Sequence, residues 1–544
     1  ALAQLNPTVG DFAGNLRLLE QALEKLAPER PELVVLSELF LTGYPPMDLL
    51  DRPGFVDRAE AALGRVVELS GRLPGTGIVV GAAVRTGLAT GKPLHNVAVL
   101  AAGGSELCRQ PKTLLPGYDV FDESRWFEPA RQVRRVAFRD RSLGLTVCED
   151  AWNGPENEAR RPADTDPVET VARAGADIII NIAASPFAAG REKLRRRLLA
   201  GHARRYRLPL VFVNQVGGSD ELVFDGRSMV LDRAGEPVRV LASFAEELAM
   251  VETGDVGGEY PVEEEIATVH DALVLGVRDY FAKTGFRRAV IGLSGGIDSA
   301  VVACLAVRAL GAENVLGVTL PSRYSSRGSV RDAAALAANL GIEFRRIPIN
   351  RVHNAGLAAV RDEPAGADPG VTDENIQARV RGMILMALAN QGGRLLLATG
   401  NKSELAVGYC TLYGDMCGGL APLADLFKTR VFELARFINR EGQKIPGATL
   451  TKPPSAELRP GQLDQDTLPP YEVLDAILAR LIEAGSDAEA IAAEGFDRAT
   501  VEWACRAVAL SEHKRRQAPP GIRVTTKAFG IGRRLPVAAR WPGC

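Results

Sequence analysis

Along the chain, short apolar runs alternate with longer segments whose apolar positions recur every three to four residues, and the pattern occurs twice. In the first half the runs 33–36, 78–84, 96–101, 143–147, 178–182, 210–214 and 228–231 predict strands. Residues 15–26, 54–69, 167–174 and 191–206 carry the helical period between them. Residues 251–265 are acidic, contain glycines and a proline and keep no clean period, which predicts a linker. An amphipathic helix follows over 264–284, and a second series begins with a strand over 288–293 and a helix over 300–308. Further strands are expected at 315–319, 344–348 and 395–399. Strands alternating with helices predict an α/β fold in each block. The expected division is a domain over 1–250, a linker over 251–265 and a domain over 266–544. Residues 362–373, rich in proline, glycine and acidic side chains, predict a mobile loop whose functional version is a lid. The basic tail 514–544 is expected to wrap around the fold rather than pack into it.

Composition narrows the picture. At 544 residues the chain can bury two or more cores. Its 65 basic and 67 acidic side chains nearly cancel, so nothing predicts a nucleic-acid surface, and the arginine-rich run 191–207 reads as a solvated helix face. Seven cysteines lack Cys-x-x-Cys spacing and several lie in apolar runs, which fits a reducing cytoplasm better than a disulfide framework. Five scattered histidines argue against a His-rich metal site. No apolar run approaches the ~20 residues of a membrane span, and no signal peptide is expected. Ala1 falls inside an apparent strand, so leading residues are expected to be absent from the sequence.

The densest chemistry lies at Ser294-Gly295-Gly296-Ile297-Asp298-Ser299, between a predicted buried strand and a helix. A Ser-Gly-Gly turn there leaves backbone N–H groups free at a helix N-terminus, a nest for phosphate oxygens, and Asp298 is placed to hold Mg²⁺ on them. Taken alone, Ser-Gly-Gly is equally a corner in which the glycines only make the bend. It is not a Walker A loop, because no Lys-Ser or Lys-Thr pair follows the last glycine. The whole hexapeptide resembles the pyrophosphate loop of the ATP pyrophosphatases. That resemblance implies ATP as co-substrate, Mg²⁺, and attack of a substrate oxygen on the α-phosphorus, with AMP and pyrophosphate as products.

In the first block Glu38 follows one buried run, Lys112 follows a turn and Cys148 ends another buried run. Strand ends converge on one edge of an α/β sheet. A thiol becomes a nucleophile when a carboxylate takes its proton, and a lysine favours thiolate and oxyanion. Singly, the cysteine reads as a small buried hydrophobe and the glutamate as a cap or surface charge. Their settings, Ser37-Glu38-Leu39-Phe40-Leu41-Thr42-Gly43-Tyr44-Pro45, Lys112-Thr113-Leu114-Leu115-Pro116 and Cys148-Glu149-Asp150-Ala151-Trp152, resemble the nitrilase (carbon–nitrogen hydrolase) superfamily. The resemblance covers the first block and implies an α-β-β-α sandwich that hydrolyses an amide through a thioester. It makes Glu38 the base, Lys112 an oxyanion stabiliser, Cys148 the nucleophile and Glu123 a second active-site glutamate. Tyr44, Tyr118, Glu149 and Ser185, with Glu123, match a glutamine pocket in its amidotransferase branch.

From about residue 263 onward the chain resembles the NAD⁺ synthetase family, in segments that include Thr399-Gly400-Asn401-Lys402-Ser403-Glu404, Leu426-Phe427-Lys428 and Pro454-Ser455-Ala456-Glu457-Leu458-Arg459. The match implies a doubly wound parallel sheet, ATP at Ser294, Gly295, Gly296, Asp298, Ser299, Thr399 and Lys428, and Mg²⁺ at Asp298 and Glu404. Asn375, Arg379 and Asp415 match a deamido-NAD⁺ site. Without that match, Arg379 and Arg381 read as surface charges and Asn401 or Ser403 as a helix cap. Gly419 departs from the ammonia-dependent relatives, which tend to carry aspartate there. Together the two resemblances imply a cytoplasmic ligase that draws ammonia from glutamine, takes small-molecule substrates and forms a homo-oligomer.

Overall fold

The structure is a computed structural model that describes residues 1–154, 157, 165–360 and 370–541. It divides into two compact units, Ala1–Thr268 and Val269–Cys544, with the division inside the helix Glu265–Thr284.

The first unit holds two six-stranded sheets. In one the order is Glu247–Ala249, Leu2–Gln4, Leu33–Val35, Gly77–Arg85, Leu94–Ala102, Ser105–Pro111. In the other it is Pro237–Val240, Met229–Leu231, Leu210–Asn214, Ile178–Ala183, Arg141–Val147, Arg135–Phe138. Strand alternation sorts the side chains of the first sheet. Val34, Ile78, Val80, Val97 and Val99 pack with Leu19, Ala22, Leu63 and Val66 of the helices Phe12–Leu26 and Pro53–Ser70. Val35, Val79, Ala98 and Leu100 turn the other way and join Leu145, Val147, Ile180 and Val213 of the second sheet. The helices Pro167–Arg173 and Arg191–Tyr206 pack with the second sheet, giving an α-β-β-α sandwich.

The second unit has an all-parallel sheet in the order Glu343–Arg346, Val315–Thr319, Ala289–Gly292, Leu395–Leu397. Strand order reverses at Ala289–Gly292, so the crevice beyond its C-terminal end and that of Leu395–Leu397 is a topological switch point, where doubly wound sheets bind ligands.

Several expectations need correction. The pattern did not predict the strands Ser105–Pro111, Arg135–Phe138 and Pro237–Val240, each of which lies at the edge of its sheet and lacks a fully apolar run. The hairpin Val216–Ser219 and Leu222–Asp225 was hidden by Gly217 and Gly218, which weaken a strand signal. The helix after the phosphate loop begins at Ile297 rather than 300, capped by Gly296, so Asp298 and Ser299 belong to its first turn. Residues 370–373 open the helix Gly370–Gly392 instead of a loop, while 362–369 of the expected lid lie outside the described residues. Part of the tail packs: Ile522, Arg523, Val524 and Ala528 are buried. Within the segment read as a linker, the Tyr260 ring contacts the guanidinium groups of Arg196 at 4.0 Å and Arg227 at 5.0 Å. Nor is 191–207 wholly solvated: Arg195 is buried and pairs with Asp225 through two nitrogens. Among the described residues Cys108, Cys148, Cys304, Cys410 and Cys417 are free thiols.

Candidate active sites

In the first unit Glu38, Lys112, Glu123, Cys148 and Tyr44 meet in a buried cluster. Glu38 leaves the end of Leu33–Val35 through a bend at Ser37–Leu39 that lies directly on Gly81. A Cβ at Gly81 would come within 2.2 Å of the Leu39 nitrogen and 2.6 Å of the Glu38 carbonyl carbon. Lys112 follows Ser105–Pro111, and its nitrogen donates to the Asn96 carbonyl at 2.8 Å. Cys148 opens the short turn Cys148–Ala151 with φ +42°, a left-handed backbone that aims its side chain off the strand end.

Lys112 Nζ reaches Glu38 Oε1 and Glu123 Oε1, each at 2.8 Å, and Tyr44 donates to Glu123 Oε1 at 2.9 Å. Glu38 Oε2 accepts from the Ala184 nitrogen at 2.9 Å. Burial opposes the Lys112 ammonium, yet the adjoining carboxylates outweigh it and hold its pKa well above the ordinary value. Glu123 is pushed up to about 7, chiefly by burial, with Lys112 opposing and Glu38 adding to the rise. The Cys148 thiol lies well above its ordinary value, first through burial and then through Glu38, with Lys112 opposing. A thiol held protonated at rest needs a neighbour to take its proton as it attacks, and Glu38 is the carboxylate whose charge acts on it most strongly.

The other residues that the resemblance assigns to a glutamine pocket adjoin members of this cluster. Tyr118 donates to Glu149 Oε2 at 3.1 Å, and the Ser185 nitrogen, one residue beyond Ala184, donates to Asn214 Oδ1 at 2.8 Å. Sequence reasoning missed Asn96, whose Nδ2 donates to Glu38 Oε1 at 2.7 Å and approaches Glu123 Oε2 at 3.5 Å. An asparagine within an apolar strand was the available signal.

In the second unit the switch point opens into a cleft of about 520 Å³. Ser294, Gly296, Asp298 and Ser299 line it, together with Thr399, Glu404 and Lys428. Gly295 lies behind, with φ +81°. A Cβ there would be 2.3 Å from the Ser329 carbonyl oxygen, so only glycine lets the loop sit so close. Ser294 Oγ accepts from the Gly296 nitrogen at 3.1 Å, which folds the turn on itself.

Asp298 and Glu404 come together across the two strand ends. Lys428 Nζ bridges them, 2.5 Å from Asp298 Oδ2 and 3.1 Å from Glu404 Oε1. Asn401 is indeed the cap of the helix Lys402–Val407, accepting from the Glu404 nitrogen at 3.0 Å, and its amide also donates to Asp298 at 2.9 Å. Burial pushes Glu404 up to about 7, with Lys428 opposing. Burial disfavours the Lys428 ammonium, but Asp298 and Glu404 more than compensate and raise it.

Asn375 and Asp415 line the same cleft, near Thr411, whose hydroxyl donates to Asn375 Oδ1 at 3.0 Å. Arg379 does not: it is exposed and donates to the Leu412 carbonyl. Arg381, two residues on, lines the cleft instead and is lowered to about 10 by burial.

No described helix is long and apolar enough to cross a membrane. Among the described residues no group of three or more histidines, cysteines, aspartates or glutamates is placed to hold a metal ion. Two carboxylates around one cation nevertheless suit Mg²⁺, which commonly takes one or two carboxylates and completes its shell with phosphates and water.

A carbon-nitrogen hydrolase family profile matches residues 1–256, and an NAD synthase profile matches residues 269–518. The chain is 45% identical to the glutamine-dependent NAD(+) synthetase of Synechocystis sp., over 99% of its own length and 98% of that protein. It is 41% identical to the corresponding protein of Thermotoga maritima, again over 99% and 98% of the two chains. The solved structure of glutamine-dependent NAD+ synthetase from Acinetobacter baumannii in complex with ADP superposes with a TM-score of 0.77 at 36% identity, covering 100% of this chain and 99% of that one. With a nitrilase-like unit and a parallel-sheet unit both matched, and relatives aligned from end to end, the chain belongs to the glutamine-dependent NAD(+) synthetases, ligases that carry an amidotransferase domain.

Proposed function

We propose that the first unit releases ammonia from glutamine at Cys148 and that the second uses it to amidate deamido-NAD⁺ through an adenylate. The observation that carries this reading is the buried Lys112 ammonium held 2.8 Å from both Glu38 and Glu123 beside the Cys148 thiol. A cation among acids and a thiol is poor packing but a good station for acyl transfer. Glu38 takes the thiol proton as sulfur attacks the glutamine side-chain carbonyl, and Lys112 stabilises the oxyanion. Glu38 returns the proton to the departing nitrogen, which leaves as ammonia while the glutamyl group stays on Cys148 as a thioester. Water, deprotonated by Glu38, then releases glutamate and restores the thiol. Tyr44, Tyr118, Glu123, Glu149 and Ser185 form the glutamine pocket.

In the second unit the Ser294–Ser299 loop and Lys428 hold the ATP phosphates, with Thr399 at the nucleotide. Mg²⁺, when bound at Asp298 and Glu404, neutralises charge on the phosphates. The nicotinate carboxylate of deamido-NAD⁺, bound near Asn375 and Asp415, attacks the α-phosphorus and expels pyrophosphate. Ammonia displaces AMP from the resulting acyl adenylate, giving NAD⁺. Asp298 and Lys428 keep the phosphates oriented, which is most of what phosphoryl-group chemistry asks of a protein.

The test is Cys148→Ala, assayed for NAD⁺ formation with glutamine and, separately, with an ammonium salt. Glutamine use is expected to vanish while ammonium use persists. Glutamine use at the wild-type rate would remove Cys148 from the mechanism.

A further inference from the structure

Asp150 lies two residues beyond the nucleophile, is buried, and touches neither Glu38 nor Lys112 by hydrogen bond. Its two oxygens face two different segments. Oδ1 accepts from the nitrogens of Thr113 at 2.9 Å and Leu114 at 2.8 Å, the two residues that follow Lys112. Oδ2 accepts from the nitrogen of Val147 at 3.0 Å, the residue before Cys148. One carboxylate thus ties the backbone on the C-terminal side of the lysine to the backbone on the N-terminal side of the thiol. The tie matters because Cys148 holds φ +42°, a conformation that a residue with a β-carbon keeps only when its surroundings impose it.

We propose that Asp150 is the positioning residue that sets the Cys148 turn against the Lys112 turn, and so fixes the distance between nucleophile and cation for glutamine hydrolysis. The inference rests on the glutaminase reading of this cluster. Only a carboxylate can do the work at that spot. All three partners are N–H donors, and an amide of the same shape offers one accepting oxygen and one donating nitrogen. With an asparagine side chain there, one of the two segments faces a donor and is pushed away. Acyl transfer is sensitive to that kind of displacement, since a 1 Å error in placement costs about 100-fold in rate.

The experiment uses the full chain carrying Asp150→Asn. NAD⁺ formation is measured with glutamine and with an ammonium salt, and iodoacetamide labelling of Cys148 is followed by the mass of the peptide that bears it. The expected result is a kcat with glutamine lower by about 100-fold, a KM for glutamine within about threefold, and ammonium-driven synthesis unchanged. Alkylation of Cys148 should slow alongside kcat, which a loss of stability alone would not produce. If Asp150→Asn does not accumulate as folded protein, Asp150→Glu is measured in its place. It keeps both accepting oxygens but adds a methylene, so it too should lose kcat with glutamine and keep ammonium-driven synthesis. A glutamine kcat within threefold of the wild type, or equal losses with both nitrogen donors, would overturn the proposal. Cys148→Ala, run alongside, separates the two levels. If it still uses glutamine, the glutaminase reading fails; if it does not while Asp150→Asn is unimpaired, only the positioning role fails.

Discussion

Replacing Lys112 with methionine removes the ammonium that contacts Glu38 and Glu123, each at 2.8 Å, and leaves both carboxyls buried. Deleting one member of a buried ion cluster costs about 3–5 kcal/mol when the remaining charges have no way out. Here there is a way out. Glu123 already stands at about 7 because it is buried, and Lys112 is the group that pulls it down. In Lys112→Met it rises further and takes up a proton near neutral pH. The sign follows from linkage: a carboxyl whose folded pKa lies above its unfolded value of 4.5 binds its proton more tightly in the native state. Its stabilising contribution is complete below 4.5 and is lost as pH rises through the folded value, at up to about 1.4 kcal/mol per pH unit. In the wild type that loss ends near pH 7, whereas in Lys112→Met it continues above it. Urea unfolding at pH 5, 7 and 9 should therefore show a destabilisation by Lys112→Met that is smallest at pH 5 and largest at pH 9. Glutamine-driven kcat should fall by about 100- to 1,000-fold, the usual consequence of losing an oxyanion donor, while ammonium-driven synthesis holds. A destabilisation identical at pH 5 and pH 9, or glutamine use within threefold of the wild type, would refute this account of the cluster.

Gly81→Ala forces a Cβ to within 2.2 Å of the Leu39 nitrogen and 2.5 Å of the Ser37 carbonyl oxygen. It should destabilise the first unit by about 1–3 kcal/mol and depress glutamine use alone, measured by denaturation midpoint and by the two nitrogen donors in parallel. Glu404→Gln removes a charge from the pair bridged by Lys428 and should cut AMP formation by about 100-fold or more with either donor; chromatographic detection of AMP at the wild-type rate would exclude that role. Arg381→Ala should raise the KM for ATP or deamido-NAD⁺ by about 10- to 100-fold, the worth of a hydrogen bond to a charged group. Arg379→Ala, altering an exposed side chain outside the cleft, should change either KM less than about threefold; the reverse order would show that the sequence match had chosen the right arginine.

What was legible in the sequence was what strand ends dictate. Glu38, Cys148, Asp298 and Glu404 each follow a short buried run, and parallel strands deliver their C-terminal ends to one edge, so local reading already placed them at the edges where the clusters form. Their company was not legible, because it depends on pairings between distant segments. Asn96 serves Glu38 from 58 residues away, and nothing local distinguishes it from any other polar interruption of an apolar strand. The arginines at 191–207 are alike in the sequence, yet Arg195 alone of them is buried on a carboxylate, because Asp225 arrives from a hairpin that two adjacent glycines had concealed. Arg379 and Arg381 lie about 200° apart around one helix. The helix Gly370–Gly392 is buried at scattered positions rather than along one clear stripe, so periodicity could not say which guanidinium faced the cleft. Asp150 belongs to this second class even though it sits inside the motif that carries the proposed nucleophile. A carboxylate three residues past a strand end reads as a cap for its own turn, and it does bond the Val147 nitrogen as a cap would. The bonds to Thr113 and Leu114 come from another segment entirely. They are what turns a local cap into a link between the residues proposed to carry out one reaction.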